Sequence, residues 1–553
     1  MKSVSFTVAA PASAQDYTSG AVTGTVKNPS GAPVSGASVT LTSQAQGLTR
    51  SFVTGPNGTF TASGVSPGLY NLSVTASGYS RSEDVITVTA ATSSTVTVGL
   101  VTQSTNADIV VTGRARQAQT QAATGLNIDV AAVTANIAVP RNLTGLVLLA
   151  PTTQRGSTFF GDVPAIGGGS VAENAYYING LNITNPDTYI GSARVPFEFY
   201  KTVDVQTGGY PAEFGRATGG VVNATTKSGT NIPFIAMHLN WAPASLRGHS
   251  KNIGLATNPS NIAQLDESDN KTASLEIGAP IIKNHLFAYG MIEAHRDRTE
   301  FASQSAKSFR RQVSKDPFWG IKLDGYINPT QHAEFTIFDT RTTITDSAYS
   351  FAGTAPAYNG GTIGALKGVR KIELGGINWV GRYTGDVTDF LTLSAAYGVS
   401  KDKNNTLPAD VSSYFVSDSR GGDTSILSLN QPFATNNVIS TKRRFYRADA
   451  DVRVNFAGQH RFRAGFDNED LSETKTTKAN GVIPALYFYD ETGINIVYEA
   501  LGGKVAGTDT AYYVQDTWTT PVDGLTPSGF VLIIQPLAMI FIILLLLCFF
   551  FWQ

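Results

Sequence analysis

Three stretches carry residue types that could do chemistry, and each lacks what the chemistry requires. "GVSPG", Gly64–Gly68, fits the Gly-x-Ser-x-Gly pattern in which a strained strand-to-helix turn presents a nucleophilic serine. It lies in a Val-, Thr-, Ser- and Gly-rich segment with no helix after it, and no histidine precedes His238, so a plain turn is expected. "DVSSYFVSDSRGGDTS", starting at Asp410, is acidic enough for calcium but lacks the ligand periodicity of an EF-hand loop, which leaves a solvated loop. "GGYPAEFGRATGG", from Gly208 to Gly220, has the glycines of a phosphate cradle but no Lys-Ser/Thr. The 6 histidines are scattered without metal-ligand spacing, and the 1 cysteine, Cys548, can form neither an intrachain disulfide nor a cysteine cage. No catalytic site, no metal and no cofactor are predicted, and the chain is not expected to be an enzyme.

What the sequence offers instead is main-chain recognition. "DIVVTG", Asp108-Ile109-Val110-Val111-Thr112-Gly113, is an extended run after a polar joint. Such a run presents donors and acceptors to which a partner can add a strand, a firm mechanical hold without a deep pocket. Taken alone the run reads equally as a plain strand, and what lies around it decides its role.

A length of 553 residues predicts three or four domains at roughly 100–200 residues each. With 41 basic and 42 acidic residues there is no surplus to neutralise phosphates, so nucleic acid is not an expected partner. The 54 Gly, 21 Tyr and 29 Phe with only 15% charged residues favour β-structure. The start, "MKSVSFTVAAPASAQ", is a signal peptide in miniature over residues 1–14: Lys2, an apolar stretch, then small residues before Gln15. Residues 15–102 hold six or seven short strands broken by turns such as "NPSG" and "PNG", a small β-sandwich. Residues 103–113 form a linker, and "RARQAQTQAATG" after it is expected to be mobile. Residues 114–231 mix a helix candidate, "NLTGLVLLAP" ended by Pro151, with strand-like runs, an α+β pattern.

From 232 to 526 long amphipathic strands alternate with polar loops. In "YRADADVRVNFAGQHRFRAGF" the apolar set Tyr446, Ala448, Ala450, Val452, Val454 and Phe456 alternates with Arg447, Asp449, Asp451, Arg453 and Asn455. Eleven residues from Tyr446 to Phe456 match the roughly 9–11 that a tilted strand needs to cross a bilayer. Aromatics bracket small residues, as at the two membrane interfaces of a barrel. Lipid outside and a wet or plugged lumen inside is the environment that wants such a hairpin, and only a closed barrel satisfies every backbone group in lipid.

Two resemblances sharpen this reading. Residues 21–100, in "GTV", "PNGTF" and "PGLYNLSVTASGY", resemble the carboxypeptidase-regulatory-like domain, a non-catalytic sandwich. "DIVVTG" followed by "NLTGLVLLAPTTQRG", "YYINGLNITNP" and "VDVQTGGYPAEFGRATGGVVNATTKSGTN" resembles the plug of TonB-dependent outer-membrane receptors, nearest the Oar-like subgroup. The resemblance implies a plug motif comprising Asn179, Gly180, Gly208, Gly209, Glu213, Gly215, Arg216, Gly219 and Gly220, with Asn179 where many receptors have Asp. It also implies that Asp108–Gly113 is the TonB box, gripped by a TonB-type energy-transducing protein. An unknown imported ligand and outer-membrane lipid of a Gram-negative-type bacterium complete the expected partners.

The expected fold is mainly β: sandwich, α+β plug and an incomplete transmembrane antiparallel β-barrel, with about ten to twelve strand candidates where the resemblance implies about 22. The tail from 527 to 553 is continuous apolar sequence, a wrong pattern for a barrel strand. It is expected to be an aberrant, frameshifted or truncated end, with a single-helix anchor as the second reading. The chain would then carry a transporter's parts without transporting alone; the competing class is a membrane-anchored adhesin or scaffold.

Overall fold

The computed structural model describes residues 18–519 and 530–534, except 91, 104–110, 113–115, 121–123, 138–140, 158–159, 162, 215–216, 249–252, 256–257, 262–264, 304–307, 354–360, 389, 421–424, 427–431 and 457–458. The expected signal peptide lies outside these residues, as does most of the apolar tail.

Seven strands build the sandwich: β1 (Gly20–Lys27), β2 (Ser38–Ser43), β3 (Thr49–Val53), β4 (Thr59–Val65), β5 (Gly68–Thr75), β6 (Ser82–Val88) and β7 (Ser93–Gly99). Their inward residues, among them Val22, Leu41, Phe60, Leu72, Ile86 and Val96, close a core made from this segment alone. Alternating burial along β5 and β7 is the period-two pattern of a strand with one face on a core. Two further strands extend the sandwich. β8 (Val111–Thr112) pairs parallel with β6, and β9 (Arg116–Thr120) pairs antiparallel with β7. The expected mobility of "RARQAQTQAATG" is thus corrected: the open edge of β7 offers unpaired backbone groups, and residues 116–120 satisfy them.

The segment expected as the plug, 114–231 and called the plug below, has a sheet of its own that starts at Thr124. Its sheet contains Thr124–Asp129, Tyr200–Gly208, Val221–Thr226, Ala175–Ile178 and Leu181–Asn182, in that spatial order. Two short helices, Val130–Asn136 and Leu143–Val147, are capped by Asp129 and Asn142, whose side chains accept from Ala132 N and Gly145 N.

Among the described residues fourteen strands form the large sheet, from Phe234–Ala242 at one edge to Phe530–Ile534 at the other. Each strand foreseen from alternation is present, but many are longer. The hairpin at Tyr446 belongs to two 21-residue strands, Thr435–Asn455 and Gln459–Ala479. Connections at one end of the sheet are short, at 283–285, 329–330 and 456–458, whereas 243–266 and 409–434 separate strands at the other. Short inner turns and longer outer loops are the asymmetry of outer-membrane barrels. Phe530–Ile534 pairs antiparallel with Tyr512–Asp516, which corrects the reading of that stretch as non-strand: an unpaired neighbouring edge accepts even a continuous apolar run. No helix among the described residues is long and apolar enough to cross a membrane.

The faces of this sheet are inverted relative to a water-soluble protein. Ile235, Met237, Leu239 and Trp241 are exposed on one face at 65–74%. On the other, Glu276, Asp346, Arg443 and Arg463 are buried. Charge inside and hydrocarbon outside is the pattern expected when the outer solvent is lipid.

Candidate functional site

The buried charges meet the plug. Glu213, in the 3-10 turn Ala212–Phe214, has a side chain only 1% exposed and lies 3.0 Å from both Arg447 and Arg463 of the wall. Arg447 also reaches Asp449 at 3.0 Å and Tyr513 Oη at 2.6 Å, while Arg461 holds Asp451 at 2.7 Å. Three carboxylates and three guanidiniums thus interlock across the plug–wall boundary. The alternating charges of the hairpin are the wall's half of this clamp.

Further contacts repeat the theme. Arg443 donates to the carbonyls of Asn182 and Thr184 at 3.1 and 2.8 Å, and Asn182 Nδ2 donates to Glu469 at 3.2 Å. Lys227, in the "TKSGTN" exit of the plug, meets Glu276 at 2.8 Å, and Tyr289 donates to the same carboxylate at 2.8 Å. Apolar packing joins the polar clamp: Phe199 of the plug contacts the rings of Tyr289, Phe318 and Phe338 on the wall. Plug and wall share one hydrophobic core, so this lumen is filled rather than wet.

Asn179 and Gly180 form the two-residue turn of the Ala175–Asn182 hairpin, both at positive φ (46° and 84°). That is a type I′ turn, which Asn-Gly favours. Asn179 Nδ2 donates to Thr226 Oγ1 at 2.7 Å and to wall Thr336 Oγ1 at 2.9 Å, and its Oδ1 accepts from Thr226 N at 3.0 Å. The amide supplies two donors that a carboxylate lacks, so the loss of the familial charge costs no ion pair here. Asn179→Ala removes these bonds, at about 1 kcal/mol each, and forces a Cβ-bearing residue without local polar compensation into the left-handed region, at about 1 kcal/mol more. The urea midpoint for plug release is expected to fall accordingly, and Asn179→Gly, which relieves the strain, should fall less.

Of the other motif residues, Gly209 has φ 67° and turns the chain after Tyr200–Gly208. A Cβ on Gly220 would meet Ile166 at 2.2 Å, and one on Gly219 would meet Asn174 Oδ1 at 2.8 Å, so these two glycines permit close packing. Gly208 has open space around it. Gly215 and Arg216 lie outside the described residues, as do Asp108, Ile109, Val110 and Gly113. Val111 and Thr112 lie on the sandwich edge, away from the clamp. The motif residues are therefore dispersed: Asn179 and Glu213 touch the wall and the glycines shape the plug. Sequence reading missed the partners of these two, Arg447, Arg463 and Thr336, and the separate contacts of Arg443 with Asn182 and of Lys227 with Glu276, although the charged face of the hairpin was the available signal.

Above the plug, toward the long loops, a cavity of about 1010 Å³ opens between plug residues such as Arg141, Asn185 and Arg194 and wall residues such as Asn240, Asn270 and Asn378. Arg194 crosses it to Asp297 at 2.7 Å. Asp324, His332 and Glu334 converge within 4.8 Å near the short turns, close enough together to share a metal ion. Lys322 stands 3.4 and 3.1 Å from the two carboxylates, which makes this an ion-paired cluster rather than an open ligand set.

Lys201 of the plug donates to the carbonyl of Pro67 in the sandwich. Burial, helped by Lys322, lowers its pKa to about 8, against the attraction of Asp324 and Asp129. The docked state then binds fewer protons than the undocked one between about pH 8 and the ordinary lysine value, so docking strengthens as pH rises through that window. Tyr70, pushed up to about 12 by burial, stays protonated throughout. Proteolytic release of the sandwich should slow from pH 8 to 10, and Lys201→Met should flatten that dependence.

Residues 21–101 match the carboxypeptidase regulatory-like domain family. Over 203 residues the chain is 32% identical to the TonB-dependent transporter Oar of Myxococcus xanthus, a match covering 36% of this chain and 17% of that protein. In structure it is similar to the outer membrane transporter YddB of Escherichia coli, with a TM-score of 0.50 and 11% identity, over 71% of this chain and 54% of that one. The chain therefore spans about half the length of the structural relative, and its aligned part a smaller share of the sequence relative. Both of these relatives are transporters by name. With a regulatory-like sandwich in front of a large antiparallel sheet whose charged face is turned inward and apolar face outward, the chain is similar in sequence to a TonB-dependent transporter over those 203 residues and similar in fold to an outer membrane transporter.

Proposed function

We propose that the chain serves energised uptake of a ligand across the outer membrane, with the plug as the gate and Asp108–Gly113 as the segment gripped by a TonB-type protein. The observation that carries this reading is the clamp of Glu213 by Arg447 and Arg463. Buried ion pairs specify one seated position yet contribute little net stability against hydrophobic replacements. A gate needs that combination: a defined closed state and a modest barrier to leaving it. The cavity above the plug is the compartment in which a ligand would wait, and its lining of amides, hydroxyls and charges of both signs suits a polar ligand.

The test works without an identified ligand. Cells producing the chain, or the chain lacking residues 108–113, are grown in complex medium with and without an uncoupler, and the compounds they deplete are compared by mass spectrometry. At least one compound is expected whose depletion requires both the segment and the proton-motive force. Depletion identical in all cultures would contradict the proposal.

A further inference from the structure

The sandwich docks at the short-turn end of the sheet through its loops. Its β2–β3 turn bonds to the plug exit: Asn231 N donates to Ala45 O at 2.8 Å and Asn231 Nδ2 to Gln46 O at 2.5 Å. The wall contributes Tyr326, whose hydroxyl donates to Gln46 Oε1 at 2.9 Å and lies 2.9 Å from Ser66 Oγ in the β4–β5 turn. Arg50 pairs with Asp386 of the wall at 2.6 Å, with both side chains largely buried, and Arg453 donates to Ser63 Oγ at 2.5 Å. Lys201 links Pro67 to the plug itself.

The character of this interface differs from that of the plug. Plug and wall share a hydrophobic core that includes Phe199, Tyr289, Phe338 and Phe445. The sandwich core contains only sandwich residues. Among the described residues its hold on the rest of the chain is by hydrogen bonds and an ion pair, the kind of interface across which domains move by default. A second observation is independent of the first. The chain leaving the sandwich folds back onto it, and Val111–Thr112 becomes a strand of the sandwich's own sheet beside β6.

We infer that the regulatory-like domain is a latch across the inner mouth, coupled to the box strand β8 through β6 and released before the plug moves. Tension on β8 reaches the sandwich edge directly, and the polar contacts around Ala45, Gln46, Arg50 and Ser66 yield before the apolar plug core does. The docking rests on contacts within the chain; the source of the pull rests on the transporter reading above.

Two measurements test this without ligand or partner, so their failure is distinct from failure of uptake. The first uses a Cys548→Ser chain carrying Ala45→Cys and Asn231→Cys, whose disulfide yield reports docking. Arg50→Asp should lower the yield at least fivefold, and adding Asp386→Arg should restore it; unchanged yield in the single variant overturns the contact. The second pulls the bilayer-embedded chain by a tag inserted after Gln103. The reduced chain should show an early low-force event before plug extension, and the oxidised chain should lose it. Superimposable traces from the two forms would overturn the latch.

Discussion

Replacing Arg447 and Arg463 together by methionine should lower the free energy of plug seating by about 3–5 kcal/mol, because it strands buried carboxylates without their cations. Glu213 is the carboxylate with most to lose, since both guanidiniums lie 3.0 Å from it and water does not reach it. Asp449 also loses the Arg447 contact at 3.0 Å, whereas Asp451 keeps Arg461. The reciprocal change, Glu213→Leu, should cost clearly less, as each arginine retains a neighbouring aspartate. The urea concentration at which protease first cuts the plug reads both variants. Equal effects of the two would show that the network stabilises by something other than charge balance.

A second large effect is expected on the opposite face. Leu239→Arg places a charge where the structure exposes hydrocarbon, and in a bilayer that costs about 2–4 kcal/mol near the midplane. Asn240, one residue along, lines the cavity above the plug, so Asn240→Arg should be tolerated far better. Folding yields in vesicles would separate the two positions. In detergent-free buffer a soluble sheet would show no such preference.

How much of this was legible in the sequence depended on where the determining partner lay. Strands such as Leu391–Pro408 were readable because alternation is local: Leu393 and Tyr397 are exposed and Thr392 is buried, as the spacing implies. Their full lengths were not. In Thr435–Lys442 both faces are mainly polar, so the period-two signal fades although pairing continues. The strand character of Arg116–Thr120 was invisible because its partner, β7, lies some twenty residues earlier and supplies only an edge. The same holds for Phe530–Ile534 on Tyr512–Asp516. In the site, Glu213 was named from its motif, but Arg447 and Arg463 are more than 230 residues away and only the folded sheet brings them to it. The hairpin showed that a charged face existed; it did not show which residue would occupy it.

The sheet presents hydrocarbon to lipid and charge to the plug. Single cysteines placed in turn at positions 443–454, in chains lacking Cys548 and reconstituted in vesicles, can carry a nitroxide and report collision with oxygen in lipid and with a nickel chelate in water. A period of two is predicted, with positions 446 and 454 exposed to oxygen and 443, 447 and 451 shielded from it. Accessibility to the chelate at 446 and 454, or no alternation at all, would rule out a lipid-facing apolar side.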